Sequence, residues 1–310
     1  MSSSSLPAVY KFPQATDVAA MVADHIVGIQ NSVLAKDSTR RFRLGISGGS
    51  LIGVLNEGLI HRKDIDWENW DIYFADERLV PFDSPESNYG RFKRGVLDQL
   101  PNRDHLPNVF PVDESLINDA QECADNYEKL LIRGFAAKDS VKLPGFDLLM
   151  LGCAPDGHIA SLFPNHELLR EKYAWVAPIE DAPAPPARRI TLTLPVISHS
   201  HRITFVVEGS TKAPVIKTIM ERPDKGLPGS IVNEQAAGRV AWFVDDEALK
   251  DTYVPSKPYK LTAPRLFIGD RCGAVDRQSA STPHSGSSLY TWWQHLARSN
   301  ERAAAANHTS

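Results

Sequence analysis

The stretch FRLGISGGSLIG, residues 42–53, carries the signal from which the fold can be predicted. Its first half contains a short apolar run, residues 43–46, which has the length of a strand. Two adjacent glycines follow, and residues 51–60 then carry apolar side chains at positions 51, 52, 55 and 59, a spacing typical of a helix. A strand that leads directly into a helix is the repeating unit of α/β folds.

The same order of elements recurs along the chain. Further strands are predicted at residues 70–75, 146–152, 174–177, 189–194, 202–207 and 240–244, and further helices at residues 89–100, 119–135 and 211–221. The run FDLLMLG, residues 146–152, is almost entirely apolar, as expected for a strand that is covered on both faces of a parallel sheet. The pattern predicts an α/β fold with a doubly wound, mostly parallel sheet and helices on both faces.

The composition excludes several classes of function. The 310 residues include 34 basic and 38 acidic side chains, giving a net charge of −4 without a basic run, which argues against nucleic-acid binding. No apolar run reaches the length of a membrane span, so no membrane partner is expected. The three cysteines, at positions 123, 153 and 272, are odd in number and widely spaced. This argues against a disulfide framework and favours a reducing, cytoplasmic location.

The character of the sequence changes near residue 254. Residues 255–310 contain the clusters SASTPHSGSS and AAAANHTS, in which proline, serine, glycine and alanine dominate. Such a composition buries too little apolar surface to offset the entropy of ordering. We therefore expect a folded domain over residues 1–254 and a disordered C-terminal extension over residues 255–310.

The residues that directly follow strands are the candidates for a functional site, because ligands of open α/β sheets bind beyond the carboxyl ends of the strands. Four motifs occupy such positions: SGGS at 47–50, DER at 76–78, CAPDGH at 153–158 and EGSTK at 208–212.

The first motif has three interpretations. GISGG matches G-x-S-x-G, the turn that exposes Ser47 as a nucleophile in one class of hydrolases. The same letters match an anion cradle, in which Gly48 and Gly49 let a phosphate approach the backbone and Ser50 opens a helix with a positive N-terminus. A plain strand-to-helix turn is the third interpretation. Spacing alone leaves all three open.

Two further motifs combine a carboxylate with a basic side chain. Asp76 could act as a base or orient a substrate hydroxyl, and Arg78 could clamp an anion, or the two could form an ion pair in a loop. Asp156 could hold the imidazole of His158, which is the natural base near neutral pH. The alternative is that Asp156 caps a helix and His158 is an incidental surface residue.

Isolated basic residues complete the set of candidates. Arg189 precedes an apolar strand and Lys212 lies at a strand-to-helix turn, so either could contribute to an anion site or be a surface charge. No set of histidine, cysteine and carboxylate residues has a convincing metal-ligand spacing, so no metal is predicted.

Taken together and in this order, the motifs resemble the 6-phosphogluconolactonase family. The resemblance covers residues 8–250 and rests on LGISGGSLIGVL, FADERLVPFDSPESNYG, FDLLMLGCAPDGHIASLFPNH, RRITLTLPVI and GRVAWFVDD. It implies hydrolysis of 6-phosphoglucono-δ-lactone to 6-phosphogluconate in the pentose phosphate pathway, without a cofactor. The expected partner is this sugar-phosphate lactone, and the expected state is a monomer or weak dimer.

The resemblance also implies a role for each candidate. His158 would activate water, and Asp156 would orient His158. Asp76 and Arg78 would line the site, and Arg189 and Lys212 would hold the phosphate. The phosphate or lactone loop would be formed by Ser47, Gly48, Gly49 and Ser50. Ser47 is then a cradle residue and not a nucleophile. The chain departs from the family at Ala154, where glycine is frequent, so the backbone conformation before Asp156 is of interest.

Three rival functions have recognisable features. The related amino-sugar-phosphate isomerase/deaminases typically continue D-G-H with Asn-Glu-Pro, whereas here Ser161, Leu162, Phe163 and Pro164 provide no carboxylate. A non-catalytic sugar-phosphate sensor would use the same pocket without turnover. A serine hydrolase would depend on Ser47.

Overall fold

The computed structural model describes residues 6–37, 39–136 and 143–261. Residues 1–265 form one compact unit, and the second unit, residues 266–310, lies outside the described residues. Most of the predicted C-terminal extension therefore also lies outside them. None of the helices in the described part of the chain is both long and apolar enough to cross a membrane.

Within the described residues, ten strands form two sheets. They are β1 (Ala8–Phe12), β2 (Phe42–Ile46), β3 (Trp70–Phe74), β4 (Asp76–Arg78), β5 (Asn108–Phe110), β6 (Leu148–Leu151), β7 (Val176–Ile179), β8 (Arg189–Leu192), β9 (Ile203–Val207) and β10 (Val240–Asp245). The larger sheet has seven strands in the order β1-β10-β9-β6-β2-β3-β5, and all of its pairings are parallel.

Seven α-helices of the described part of the chain pack around this sheet. They are α1 (Ala15–Leu34), α2 (Leu51–Leu59), α3 (Asn88–Gly95), α4 (Ala120–Phe135), α5 (Leu194–His199), α6 (Ala213–Glu221) and α7 (Pro228–Gln235). Successive residues of β6 alternate between two cores. Leu148 and Met150 join the core that contains α1, α2 and α3, whereas Leu149 and Leu151 join the core that contains α4 to α7. The predicted doubly wound α/β fold is confirmed.

A second, smaller sheet differs from the sequence-based expectation. The strands β4, β8 and β7 pair antiparallel in that order, and Asp76 is opposite Thr191 while Arg78 is opposite Arg189. The DER motif is therefore a strand and not a loop. Its three polar residues are too few for a strand periodicity to be recognised, and only pairing with β8 makes the conformation favourable.

The described residues beyond position 254 follow the outer side of the large sheet. The backbone N–H of Lys257 donates to the carbonyl of Val9 in β1, at 2.8 Å. The ring of Tyr259 packs against Tyr10 and Phe243, with both centroid distances 5.3 Å. This part of the predicted extension, up to residue 261, is thus attached to the folded unit.

Candidate active site

The carboxyl ends of the central strands meet at a cavity of about 340 Å³. It lies where ligands of open α/β sheets bind, and its volume suits a small metabolite. Side chains or backbone from all four predicted motifs line it: Ser47, Gly48, Gly49, Ser50, Asp76, Arg78, His158 and Lys212. Across residues 6–37, 39–136 and 143–261, no cluster of three or more His, Cys, Asp or Glu side chains is placed to hold a metal ion.

Ser47 ties the ends of two strands together. Its backbone N–H donates to the carbonyl of Met150 at 2.9 Å, and its hydroxyl accepts from the N–H of Gly152 at 3.0 Å. Within the described part of the chain, no hydrogen bond joins the Ser47 hydroxyl to a histidine. A serine nucleophile needs such a base, so this geometry favours the cradle over the nucleophile.

The two glycines of the turn are needed for different reasons. Gly49 has φ +72°, a conformation that residues with a side chain rarely adopt. Gly48 has ordinary φ, but a Cβ atom added there would lie 1.8 Å from Oδ1 of the buried Asn88. Asn88 is itself held by its Nδ2, which donates to the carbonyl of Asp76 at 2.9 Å. The turn therefore packs directly against Asn88, the side chain that is hydrogen-bonded to the DER motif.

This contact leads to a prediction for Gly48. The variant Gly48→Ala is expected to lower the free energy of unfolding by about 1–3 kcal/mol, because the methyl group overpacks the buried amide. The matched control is Gly53→Ala in α2, where an added Cβ meets no atom within 4 Å. Alanine is the better helix former, so this control is expected to gain up to about 1 kcal/mol. Urea unfolding of both variants measures the difference, and equal stability would contradict the close contact.

Asp76 and Arg78 each keep an unused polar atom. Asp76 is 4% exposed, and its Oδ2 accepts from the Ser161 hydroxyl at 2.8 Å, while Oδ1 has no hydrogen-bond partner among the described residues. Arg78 Nη1 donates to the carbonyl of Glu86 at 2.9 Å, while Nε lies 3.9 Å from Oδ2 of Asp76 and has no hydrogen-bond partner among the described residues. Buried polar groups are normally paired. Asp76 and Arg78 thus keep hydrogen-bonding capacity beside the cavity that both residues line.

Glu77, the middle residue of the DER motif, supports Asp76 and Arg78. This role was not predicted from the sequence. Glu77 is 1% exposed and accepts backbone N–H groups from Arg78 at 2.8 Å, Asn88 at 2.7 Å and Tyr89 at 2.8 Å. Burial raises the pKa of Glu77 to about 7, and these hydrogen bonds oppose the rise. The carboxylate thereby fixes β4 to the start of α3.

His158 lies at the end of a tight turn after β6. Its Nδ1 is 2.7 Å from Oδ1 of Asp156, and the turn is closed by the Ala154 N–H, which donates to the His158 carbonyl at 3.0 Å. Gly157 supplies φ +92°, whereas Ala154 has no positive φ, so alanine is accommodated without strain. Burial lowers the pKa of His158, and Asp156 opposes this. The imidazole is therefore neutral near neutral pH and can accept a proton.

Cys153 also lines the cavity, but burial raises the pKa of its thiol to about 12. The thiolate is the nucleophilic form of cysteine. Cys153 is thus not placed to act as a nucleophile near neutral pH.

The two isolated basic residues have different positions. Lys212 lines the cavity, and its Nζ lies 3.2 Å from the Ser50 hydroxyl. Arg189 is 1% exposed and does not line the cavity. Its Nε donates to the carbonyl of Pro186 at 2.9 Å, and its Nη2 donates to the carbonyl of Ala184 at 2.8 Å. Arg189 is therefore placed differently from the predicted phosphate ligand, because its donors are used by the loop before β8.

Arg189 instead reaches the site through Ser161. Its Nη1 is 3.3 Å from the Ser161 hydroxyl, which in turn donates to Asp76. Ser161 was not among the candidates from the sequence, because a serine in an apolar run gives no local signal of this role. The arrangement as a whole offers a cation pair, a free carboxylate oxygen, open backbone N–H groups and a neutral imidazole around one cavity.

Comparisons with known proteins agree with this description. Residues 13–242 match the family described as glucosamine-6-phosphate isomerases/6-phosphogluconolactonase. The chain is 68% identical over 230 residues to "6-phosphogluconolactonase-like protein 1" of Saccharomyces cerevisiae, covering 74% of this chain and 72% of that protein. It is 55% identical over 306 residues to "6-phosphogluconolactonase-like protein 2" of the same organism, covering 83% and 97%.

A solved structure shows the same relationship in three dimensions. The 6-phosphogluconolactonase of Trypanosoma brucei superposes with a TM-score of 0.67 at 25% identity, covering 79% of this chain and 98% of that one. The family match over residues 13–242 contains every residue that lines the cavity. The chain belongs to the glucosamine-6-phosphate isomerase/6-phosphogluconolactonase family.

Proposed function

We propose that this protein is an enzyme that hydrolyses 6-phospho-D-glucono-1,5-lactone to 6-phospho-D-gluconate, a step of the pentose phosphate pathway. The observation that carries the proposal is that His158, whose Nδ1 is held by Asp156 from outside the lining, lies in the same cavity as Arg78, Lys212 and the glycine turn. A base and an anion site around one small cavity are what the hydrolysis of a phosphorylated lactone requires. The names of the relatives support the same activity.

The phosphate of the substrate is held by the cationic side of the cavity. Arg78 offers its guanidinium, which lines the cavity, and Lys212 offers its ammonium group beside Ser50. The backbone N–H groups of Gly48 and Gly49 precede α2, whose N-terminus carries partial positive charge. The free Oδ1 of Asp76 accepts a hydroxyl of the sugar ring. Together these contacts fix the ring and convert binding energy into orientation.

The chemical step needs no covalent enzyme intermediate. Nε2 of His158 takes a proton from a water molecule, and the oxygen of that water attacks the lactone carbonyl. Asp156 accepts the hydrogen of Nδ1 and so keeps Nε2 free as the base. The tetrahedral intermediate collapses with cleavage of the bond between the carbonyl carbon and the ring oxygen. The imidazolium returns its proton to the ring oxygen, which becomes a hydroxyl. The new carboxylic acid group loses its proton to solvent, and the product leaves as the carboxylate.

The pKa of His158 predicts a pH profile. The base is active when neutral, so kcat/KM should fall as the pH drops through the pKa of His158. Burial lowers that pKa from 6.5, so the acid limb is expected below pH 6.5. The variant Asp156→Asn removes a carboxylate that raises this pKa, so its acid limb should move to lower pH. Its kcat should also decrease, because the tautomer is no longer fixed.

Measurement of kcat/KM between about pH 5 and 8 tests this, since an unperturbed histidine titrates in that range. The matched control is Asp181→Asn, which removes the carboxylate beside His166, outside the cavity. An acid limb of Asp156→Asn that stays in place or moves upward would contradict the assignment.

The activity itself is tested with freshly generated 6-phosphogluconolactone and a pH indicator, after subtraction of spontaneous ring opening. Proton release well above that background supports the proposal. Binding of the lactone without faster proton release would instead indicate a sensor. Release of ammonia from glucosamine 6-phosphate would indicate an isomerase/deaminase. The cytoplasmic location and the monomeric or weakly dimeric state stay predictions, and size-exclusion chromatography tests the second of them.

A further inference from the structure

A second cavity, of about 490 Å³, lies at the opposite end of the large sheet from the candidate active site. It is formed where β1, β9 and β10 begin, with the C-terminal end of α1 beside it. Its lining includes Tyr10, His25, Lys36, Arg202, Thr204 and Arg239. None of these residues has a part in the proposed hydrolysis.

The topology of the sheet brings two arginines to this cavity side by side. Ile203 and Val240 are paired in register on the neighbouring strands β9 and β10, and the N–H of Ile203 donates to the carbonyl of Arg239 at 2.9 Å. Arg202 and Arg239, which directly precede these strands, are therefore neighbours. Like charges beside each other on paired strands are destabilising. An anion between them would remove this repulsion.

The positive charge of the cavity is not neutralised by the protein residues that the structure describes. The only acidic residue in the lining is Asp147, which forms an ion pair with Arg40. Arg239 donates to the carbonyl of Ser200, a neutral group. Among the described residues, neither Arg202 nor exposed Lys36 forms an ion pair. Lys36, Arg202 and Arg239 thus line the cavity without a carboxylate partner among the residues that the structure describes.

Part of the cavity lining is uncharged and aromatic. Nε2 of His25 lies 3.0 Å from the hydroxyl oxygen of Thr204, and the centroid of the His25 ring lies 4.9 Å from that of Phe243. Burial and the nearby Arg202 lower the pKa of His25 to about 4, so it is neutral near neutral pH. Tyr10 completes this part of the lining. A ligand that fits would combine clustered negative charge with a less polar group.

We propose that this cavity is a second ligand site, which binds a small molecule carrying a diphosphate group. Charge-assisted hydrogen bonds from arginine and lysine are the usual means of holding phosphate oxygens. A diphosphate can contact more than one cation at once. This matches a cavity whose cations come from the starts of β9 and β10 and from the end of α1. Residues 262–310 are a poor alternative occupant, because they contain five arginines against three acidic residues.

Titration calorimetry of the full chain with inorganic pyrophosphate tests the site. The variants Arg202→Gln and Lys36→Glu are each expected to weaken pyrophosphate binding by about tenfold or more, because each removes a charge from the bound oxygens. Lys36 is exposed beyond the end of α1, so its substitution leaves the fold intact even if Arg202→Gln does not fold. Arg170→Gln, an exposed arginine outside both cavities, is the matched control and should bind as the wild type does.

A third variant separates this site from the candidate active site, which also attracts anions. The Lys212→Gln variant should still bind pyrophosphate in the second cavity. Adding Lys36→Glu to this variant should weaken the binding that remains. The proposal is overturned if the wild type does not bind pyrophosphate. It is equally overturned if all binding is lost in Lys212→Gln and none is weakened in Lys36→Glu. The readout is binding of pyrophosphate and does not depend on lactone turnover.

Discussion

Replacement of His158 by asparagine is expected to lower kcat by about 10²- to 10⁴-fold, the usual contribution of a general base. Asparagine keeps a polar side chain in the cavity but cannot accept a proton from water near neutral pH. The groups assigned to the phosphate, Arg78 and Lys212, are unchanged, so KM is expected to change little. Initial rates with freshly prepared lactone give both constants.

A closely matched control is available in the same chain. His166 also has an aspartate partner, with its Nε2 3.4 Å from Oδ1 of Asp181, and its side chain is 16% exposed against 17% for His158. It lies outside the cavity. His166→Asn should therefore retain wild-type kcat. If His158→Asn turned over as fast as this control, His158 would not be the base.

Ser47 gives an independent check of the mechanism. On the proposed route Ser47→Ala should weaken substrate binding, because the turn loses the hydroxyl that accepts from Gly152. It should not abolish turnover. Complete loss of turnover, together with labelling of the wild type by a fluorophosphonate, would restore the nucleophile interpretation.

Replacement of Arg189 by methionine is expected to lower the free energy of unfolding by about 1–3 kcal/mol, the cost of leaving hydrogen-bond acceptors without their donor. The guanidinium bonds the carbonyls of Ala184 and Pro186 and the hydroxyl of Ser161. Methionine fills a similar length but leaves these acceptors without a donor. Denaturant unfolding gives the loss directly.

The neighbouring Arg188 provides the control. It is only partly buried and donates a single hydrogen bond to the carbonyl of Asn118, so Arg188→Met should change stability by less than about 1 kcal/mol. The lactone assay adds a second test. If Arg189→Met kept the stability of the wild type and raised KM, Arg189 would hold the phosphate. That result would contradict the structural role assigned to the buried Arg189.

The large sheet could be predicted because its strands are short apolar runs, and because a helical pattern follows several of them. The strand β6 is buried along its whole length, as the apolar letters of FDLLMLG indicate by themselves. The first strand and helix, residues 8–34, were missed, although α1 carries buried residues at helical spacing. The smaller sheet was missed for a different reason. Its strand β4 is polar and three residues long, so only the contact with β8 defines it.

The candidate site could be assembled from the sequence because the carboxyl ends of parallel strands meet at one edge of a sheet. That rule predicts which residues are close, but not which way a side chain turns. Arg189 illustrates this limit, since its position follows from antiparallel pairing and from the loop before it. Glu77 and Asn88 were overlooked because nothing in the local sequence distinguishes a buried polar residue from a solvated one.

The segment that follows residue 254 has a consequence for how the protein is produced. β1 is the outermost strand of the large sheet, and an uncovered strand of this kind invites pairing with another molecule. The backbone N–H of Lys257 donates to a carbonyl of this strand, and the ring of Tyr259 packs against Tyr10 in it. A chain shortened at residue 254 would lose both and become prone to self-association and precipitation, whereas one that ends after residue 261 would keep this protection.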